Sequence, residues 1–178
     1  MIENPNCRDQ TIYSQTVSEI EEFFQTNSVQ LLNIRELAEN ISRKIADISP
    51  FIQQATQKTC PACKDVCCIS RHGYYNFEDL VYINALGLKP PPPDFERNDS
   101  DPCRFLTSHG CSIDRQFRPS GCNWYFCEAL FDYMEILPGY QEFDDSLTAI
   151  AELWVKMIEE FTLSSFPRHS DLSSFCSK

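Results

Sequence analysis

The sequence predicts a mainly α fold in which helices pack around an irregular cysteine-rich metal-binding centre. Three observations lead there. Apolar residues recur at helical intervals toward both ends of the chain, no stretch alternates as a strand does, and eight of the ten cysteines fall between Cys60 and Cys127.

A first short helix is read from Thr16-Val-Ser-Glu19, which has capping-box form, and from Val17, Ile20, Phe23 and Phe24 at helical spacing, with Asn27-Ser28 stopping the run. A longer helix follows. Its stripe of Ile34, Leu37, Ile41, Ile45 and Ile48 repeats every three or four residues until Pro50, which is expected to break it, so these two helices flank the centre over about 16–49. In Asn76-Phe-Glu-Asp79 the asparagine caps a first turn, Asp79 lies near the positive end of the helix dipole, and Gly87 closes a helix over about 77–86. Near the end, Asp144, Asp145 and Ser146 offer caps. Leu147, Ile150, Ala151, Trp154, Ile158 and Phe161 then make an apolar face, a helix over about 144–163 that ends before Pro167. Between the helices, Lys89-Pro90-Pro91-Pro92-Pro93-Asp94 is expected to run as a stiff polyproline spacer between two groups of cysteines.

A chain of 178 residues with 42% apolar and 23% charged residues fits a single globular domain, 1–178, with 60–127 as its cysteine-cluster region. The formal charge of -11 opposes nucleic acid and anionic membrane surfaces, because the long-range field repels phosphate before contact; the short run around Arg115 and Arg118 is the one basic candidate. The N-terminal stretch MIENPNCRDQ has no apolar run behind it, and no later segment approaches the roughly 18 apolar residues of a membrane span. The expected location is cytoplasmic. There the sequons Asn40-Ile-Ser42 and Asn98-Asp-Ser100 carry no sugar, and thiol clusters serve as metal sites rather than disulfides.

The first cysteine group is Cys60-Pro-Ala-Cys63-Lys-Asp-Val-Cys67-Cys68, and the second is Cys103, Cys111, Cys122 and Cys127. A Cys-x2-Cys turn brings two sulfurs near enough to share one ion, with the turn's amides free to donate to thiolate. Adjacent Cys67 and Cys68 normally point different ways, so one of them is a candidate for a second centre. A helix starting near Asn123 would put Cys122 at its N-terminus and Cys127 in its first turns, where the dipole favours thiolate. Cys7 and Cys176 lie near the termini outside both groups and read as isolated buried thiols. The same eight thiolates serve zinc, iron or an iron–sulfur cluster, and the spacing matches neither the radical-enzyme nor the bacterial-ferredoxin run. His72 and His109 are candidate substitutes for a thiolate, Arg115 and Arg118 candidate countercharges. Trp124, Tyr125, Phe126 and Phe131 read as dry packing around the site. A closed structural staple, a redox or group-transfer centre flanked by Tyr74, Tyr125, Arg115 or Arg118, and a disulfide-stapled domain all remain open on these residues.

Taken together, Cys60-x2-Cys63-x3-Cys67-Cys68, Cys103-Arg-Phe-Leu, His109-Gly-Cys111-Ser-Ile and Arg118-Pro-Ser-Gly-Cys122-x4-Cys127 resemble the YkgJ-type cysteine-cluster family, a zinc- or iron-chelating domain. The resemblance covers about residues 60–127. It implies metal binding by Cys60, Cys63, Cys67, Cys68, Cys103, Cys111, Cys122 and Cys127, and it implies no particular reaction. The chain departs from the family in having three residues rather than two before the cysteine pair, and Asp114 where the family often has tyrosine. Flagellin lysine methylases look like relatives with a similar cysteine domain, but no S-adenosylmethionine fingerprint is visible in this sequence.

Overall fold

In the computed structural model, which describes residues 10–64, 66–164 and 166, the chain is mainly α, as its apolar periodicity predicts. Cys7 and Cys176 lie outside the described residues. The helices are α1 Gln10–Thr26, α2 Leu32–Thr59, α3 Phe77–Ala85, α4 Gly121–Trp124, α5 Glu128–Glu135 and α6 Tyr140–Leu163. A two-stranded antiparallel hairpin joins β1 Leu106–Thr107 to β2 Gly110–Cys111, with Leu106 opposite Cys111 and Thr107 opposite Gly110. Strands of two residues are too short to show alternation, which is why the sequence did not reveal them.

The long helices α2 and α6 pack along one another, and α3 sits against α1, α2 and α6. That placement explains its composition. From Asp79 to Ala85 every residue of α3 is buried, and a helix buried on all sides has no polar face to present. Its start is a complete capping box: Asn76 Oδ1 accepts the Asp79 N–H at 2.7 Å and Asp79 Oδ2 accepts the Asn76 N–H at 3.0 Å. Gly87, just past its end, takes φ 73, a left-handed conformation that costs glycine little.

Three boundaries differ from the sequence expectation. Helix α1 begins at Gln10, and Thr16 is buried inside it with its hydroxyl donating to the Ile12 carbonyl at 2.9 Å rather than capping a first turn. Helix α2 passes through Pro50. The reason is energetic: Pro50 is exposed, while Ile48 and Ile52 beside it are buried at 4% and 1% exposure. Burying two such side chains contributes about 3–6 kcal/mol, which outweighs the roughly 3 kcal/mol cost of an interior proline. Helix α6 starts at Tyr140 after Gly139, so Asp144, Asp145 and Ser146 lie within it, and the Ser146 hydroxyl donates to the Glu142 carbonyl at 2.7 Å.

Aromatic contacts tie the cysteine-bearing segment to this helical frame. Trp124 meets Trp154 edge-on at 5.5 Å and Phe126 meets Phe143 edge-on at 5.9 Å, so the stretch between Cys122 and Cys127 is anchored on α6 at two points. Phe51 of α2 stacks on Phe143 at 4.7 Å, and Tyr82 of α3 packs on Trp154 at 4.9 Å. Among the described residues no helix is long and apolar enough to cross a membrane.

Candidate metal centre

The last turn of α2 delivers the first thiol. The Cys60 N–H donates to the Thr56 carbonyl, Pro61 then opens a single 3-10 turn over Cys60–Ala62, and the Cys63 N–H returns to the Cys60 carbonyl at 3.1 Å. Proline suits this place because the first residues of a helical turn need no N–H.

Beyond it, the Cys67–Cys68 pair leads into a segment that pairs with the second cysteine group. Ile69 bridges Pro102 in antiparallel fashion, the Ser70 N–H donates to the Asp101 carbonyl at 2.7 Å, and the Cys103 N–H donates to the Cys68 carbonyl at 2.8 Å. The proline-rich stretch thus separates the two groups in sequence but not in space. It is tied down beside them: Tyr74 Oη donates to the Asp94 carbonyl at 2.8 Å, and Arg104 donates to the Pro92 carbonyl.

The turn Ser70–His72 with Gly73 forms the floor under two further thiols. A Cβ on Gly73 would lie 3.0 Å from Cys103 Sγ, and Cys122 Sγ approaches the His72 carbonyl at 3.9 Å. His72 Nδ1 faces the Cys67 carbonyl at 3.0 Å, and the imidazole lies 5.5 Å from the Tyr125 ring. His109 is exposed at the hairpin turn, where its N–H donates to Thr107 Oγ1 at 3.1 Å, so the backbone fixes its place.

The helix expected near Asn123 is a single turn, Gly121–Trp124, and it ends before Cys127. Cys122 lies inside that turn. Cys127 instead caps α5, a helix absent from the sequence reading, and its carbonyl accepts the N–H groups of Leu130 and Phe131 at 3.0 and 2.9 Å. Of the four aromatics read as dry packing, Trp124 and Phe126 pack inward, whereas Tyr125 and Phe131 are 58% and 40% exposed.

All eight described cysteines are free thiols. Several of them feel one another's charge. Burial pushes the Cys67 thiol up to about 11, with Cys68 and then Cys127 adding to it, and Cys67 shares a hydrogen bond with Cys127. Cys60 is raised first by burial and then by Cys67, Cys127 and Cys63; Cys68 is raised first by burial and then by Cys60, Cys103 and Cys111. Cys60 and Cys68 are the exposed members, so solvent screens these effects most at their positions. Among the described residues no three His, Cys, Asp or Glu side chains are already gathered as an ion would require. The thiols are neighbours, not a closed cage.

Arg115 is the cation of the site. It is buried, its Nη1 donates to the Cys122 carbonyl at 2.9 Å, and its pKa falls to about 10 through burial first and Arg118 second, opposed by Cys122, Cys111 and Cys68. Arg118 donates through Nε to the Ile113 carbonyl at 2.8 Å, a contact that shapes the loop. Two residues that position the site escaped the sequence reading. Gly73 makes room for Cys103, and Ser120 receives Asp79 across the fold: Asp79 Oδ1 accepts the Ser120 N–H at 2.9 Å, two residues before Cys122. A glycine beside His72, in a chain with five glycines, was the available signal for the first; nothing local signals the second.

Compared with known proteins, the chain matches no family model, no curated protein and no solved structure. The YkgJ-type resemblance rests on the cysteine motifs themselves.

Proposed function

We propose that the protein is a metal-binding cysteine-cluster protein in which Cys60, Cys63, Cys67, Cys68, Cys103, Cys111, Cys122 and Cys127 hold zinc or iron, the latter as ions or as an iron–sulfur cluster. The observation that supports this reading is that the segments carrying the two thiol groups, separated by 34 intervening residues from Cys68 to Cys103, pair through the backbone, with the Cys103 N–H donating to the Cys68 carbonyl at 2.8 Å. The donor set fits the chemistry, since soft anionic thiolates suit zinc and iron–sulfur centres and not magnesium or calcium. Burial first, and neighbouring thiols second, raise the Cys60, Cys67 and Cys68 thiols, so added positive charge there would lower the energy of the ionised form. Because the sulfurs are not yet gathered, binding would draw the loops together and couple metal affinity to local folding.

A second reading, an iron–sulfur enzyme for electron or methyl-group transfer, draws on the open face of the cluster, where Cys60 and Cys68 are exposed and Tyr125 stands 58% exposed beside His72. Protein purified without oxygen and analysed for zinc, iron and acid-labile sulfide separates the versions. Zinc without sulfide supports the zinc site, iron with sulfide supports the cluster, and no metal retained or taken up by the full chain overturns both.

A further inference from the structure

We infer that the polyproline segment is a latched strap whose closure holds Cys103 in place, so that opening of the strap, with the helical frame intact, sets how readily that thiol reacts. The inference concerns access to one thiol and holds whatever ion the cysteines take.

The strap runs beside the thiol site. Pro91, Pro92 and Pro93 face Gly73, Tyr75 and Phe105 across a narrow cavity, and Gly73 is the residue over which Cys103 Sγ lies. Four successive prolines have no N–H to place in a backbone ladder, so side chains fasten the strap. Tyr74, the residue after Gly73, donates through Oη to the Asp94 carbonyl at 2.8 Å, and Arg104, the residue after Cys103, donates to the Pro92 carbonyl. Arg97 fastens the far end: its Nε donates to Asp94 Oδ2 at 2.9 Å, and its Nη1 donates to the carbonyl of Pro102, the residue before Cys103, at 3.0 Å.

These fastenings end on the residue next to Gly73 and on the residues either side of Cys103, so the closed strap ties the two halves of the Cys103 seat together. Phe95 completes the closure by stacking on Tyr74 at 6.0 Å and meeting Tyr13 of α1 edge-on at 5.8 Å. The bonds are of the kind that yield first. The Asp94 and Arg97 side chains are 36% and 40% exposed, where water competes for the ion pair, whereas α2 and α6 close on buried apolar faces. Local opening of the strap therefore costs less than unfolding of the frame, and it frees the Pro102–Arg104 segment to carry Cys103 off Gly73.

The test uses the full chain, reduced and free of metal under anaerobic conditions, with iodoacetamide as the probe and the alkylation rate of each cysteine read by mass spectrometry. Tyr74→Phe removes the hydroxyl that holds the Asp94 carbonyl and keeps the ring that stacks on Phe95. Cys103 is expected to react about threefold to tenfold faster in that variant, the change one lost hydrogen bond produces, while Cys63 just past the end of α2 keeps its parent rate. Asp94→Asn weakens the pair with Arg97 and should quicken Cys103 by about twofold to fivefold; it decides in place of Tyr74→Phe should that variant fail to fold. An unchanged Cys103 rate overturns the latch. Equal acceleration of Cys63 and Cys103 overturns it as well, because the whole chain has then loosened and no local opening is involved.

Discussion

One oxygen of the Asp79 carboxylate accepts the Ser120 N–H at 2.9 Å while the other accepts the Asn76 N–H at 3.0 Å, so a single side chain caps α3 and clamps the turn leading to Cys122. Asp79 is 1% exposed, and a carboxylate buried that deeply is tolerable when backbone donors replace its water. The helical frame and the cysteine loop meet at this residue.

Asp79→Asn tests the clamp with almost no change of volume. An amide has one acceptor oxygen, so either the Asn76 or the Ser120 N–H would face an NH2 group. The expected cost is about 1–3 kcal/mol, from one buried donor left without its acceptor. Denaturant unfolding should register that loss, and alkylation of Cys122 should quicken relative to Cys63. If Cys122 reacts as in the unsubstituted chain, the clamp does not hold the loop.

Gly73→Ala addresses the thiol site with the frame left alone. The backbone at Gly73 has φ -90, which alanine adopts freely, so the perturbation is the methyl group itself. That methyl would stand 3.0 Å from Cys103 Sγ and 3.3 Å from the Ser70 carbonyl, closer than packed atoms sit, and the sulfur is the neighbour that yields. The midpoint of thermal unfolding should move little, whereas zinc affinity should fall and Cys103 alkylation should change. A variant that binds zinc as the parent does would show that Cys103 does not need this space.

What the sequence made legible follows from the range of the physics involved. The stripe from Ile34 to Ile48 and the Asn76–Asp79 box are local patterns, and α2 and α3 form where they indicate. Helix starts were misplaced because Thr16 and Ser146 are residues that cap helices in isolation, while burial of Tyr13 and Phe143 extends α1 and α6 upstream of them. Helix α5 escaped notice because eight residues with Leu130 and Met134 as the buried pair leave little periodicity to detect. At the thiol site the eight candidates were legible as residue types. Their neighbours were not, because the Cys67–Cys127 contact depends on α5 packing against α2, a long-range event with no local signature.

Pro50 offers a direct measure of tertiary packing against local propensity. Its ring sits in the interior of α2 on the exposed side and supplies no N–H to the carbonyl one turn back, yet the helix continues to Thr59. Pro50→Ala should restore that hydrogen bond and remove the steric clash, offset in part by the greater freedom alanine gives the unfolded chain. The net expectation is a gain of about 1–2 kcal/mol in denaturant unfolding with thiol reactivity unchanged. A loss of stability would mean that α2 depends on a bend at this position.

The alkaline limit of stability should be set in part by the tyrosines beneath the site. Burial, with a small opposing contribution from Ser42, lifts the Tyr82 phenol from 10.0 to about 12, and its hydroxyl donates to the Gln116 carbonyl at 3.1 Å. Tyr13 and Tyr75 are raised too, by burial first and then by the negative charge of Asp79. Above pH 10 the unfolded chain releases phenolic protons that the folded chain retains, so the unfolded state binds fewer protons and stability declines with pH. The contribution of Tyr82 is therefore complete below pH 10 and is lost as the pH rises to about 12, a change on the order of 2–3 kcal/mol. Tyr82→Phe removes the titrating group and also the bond to Gln116, so it should be about 1 kcal/mol less stable at neutral pH and lose stability less steeply above pH 10. Chemical unfolding across that range, followed together with tyrosinate absorbance, checks both halves, and the comparison cancels the thiol titrations that the two chains share. Parallel stability curves for parent and variant would show that Tyr82 ionises without unfolding the surrounding core.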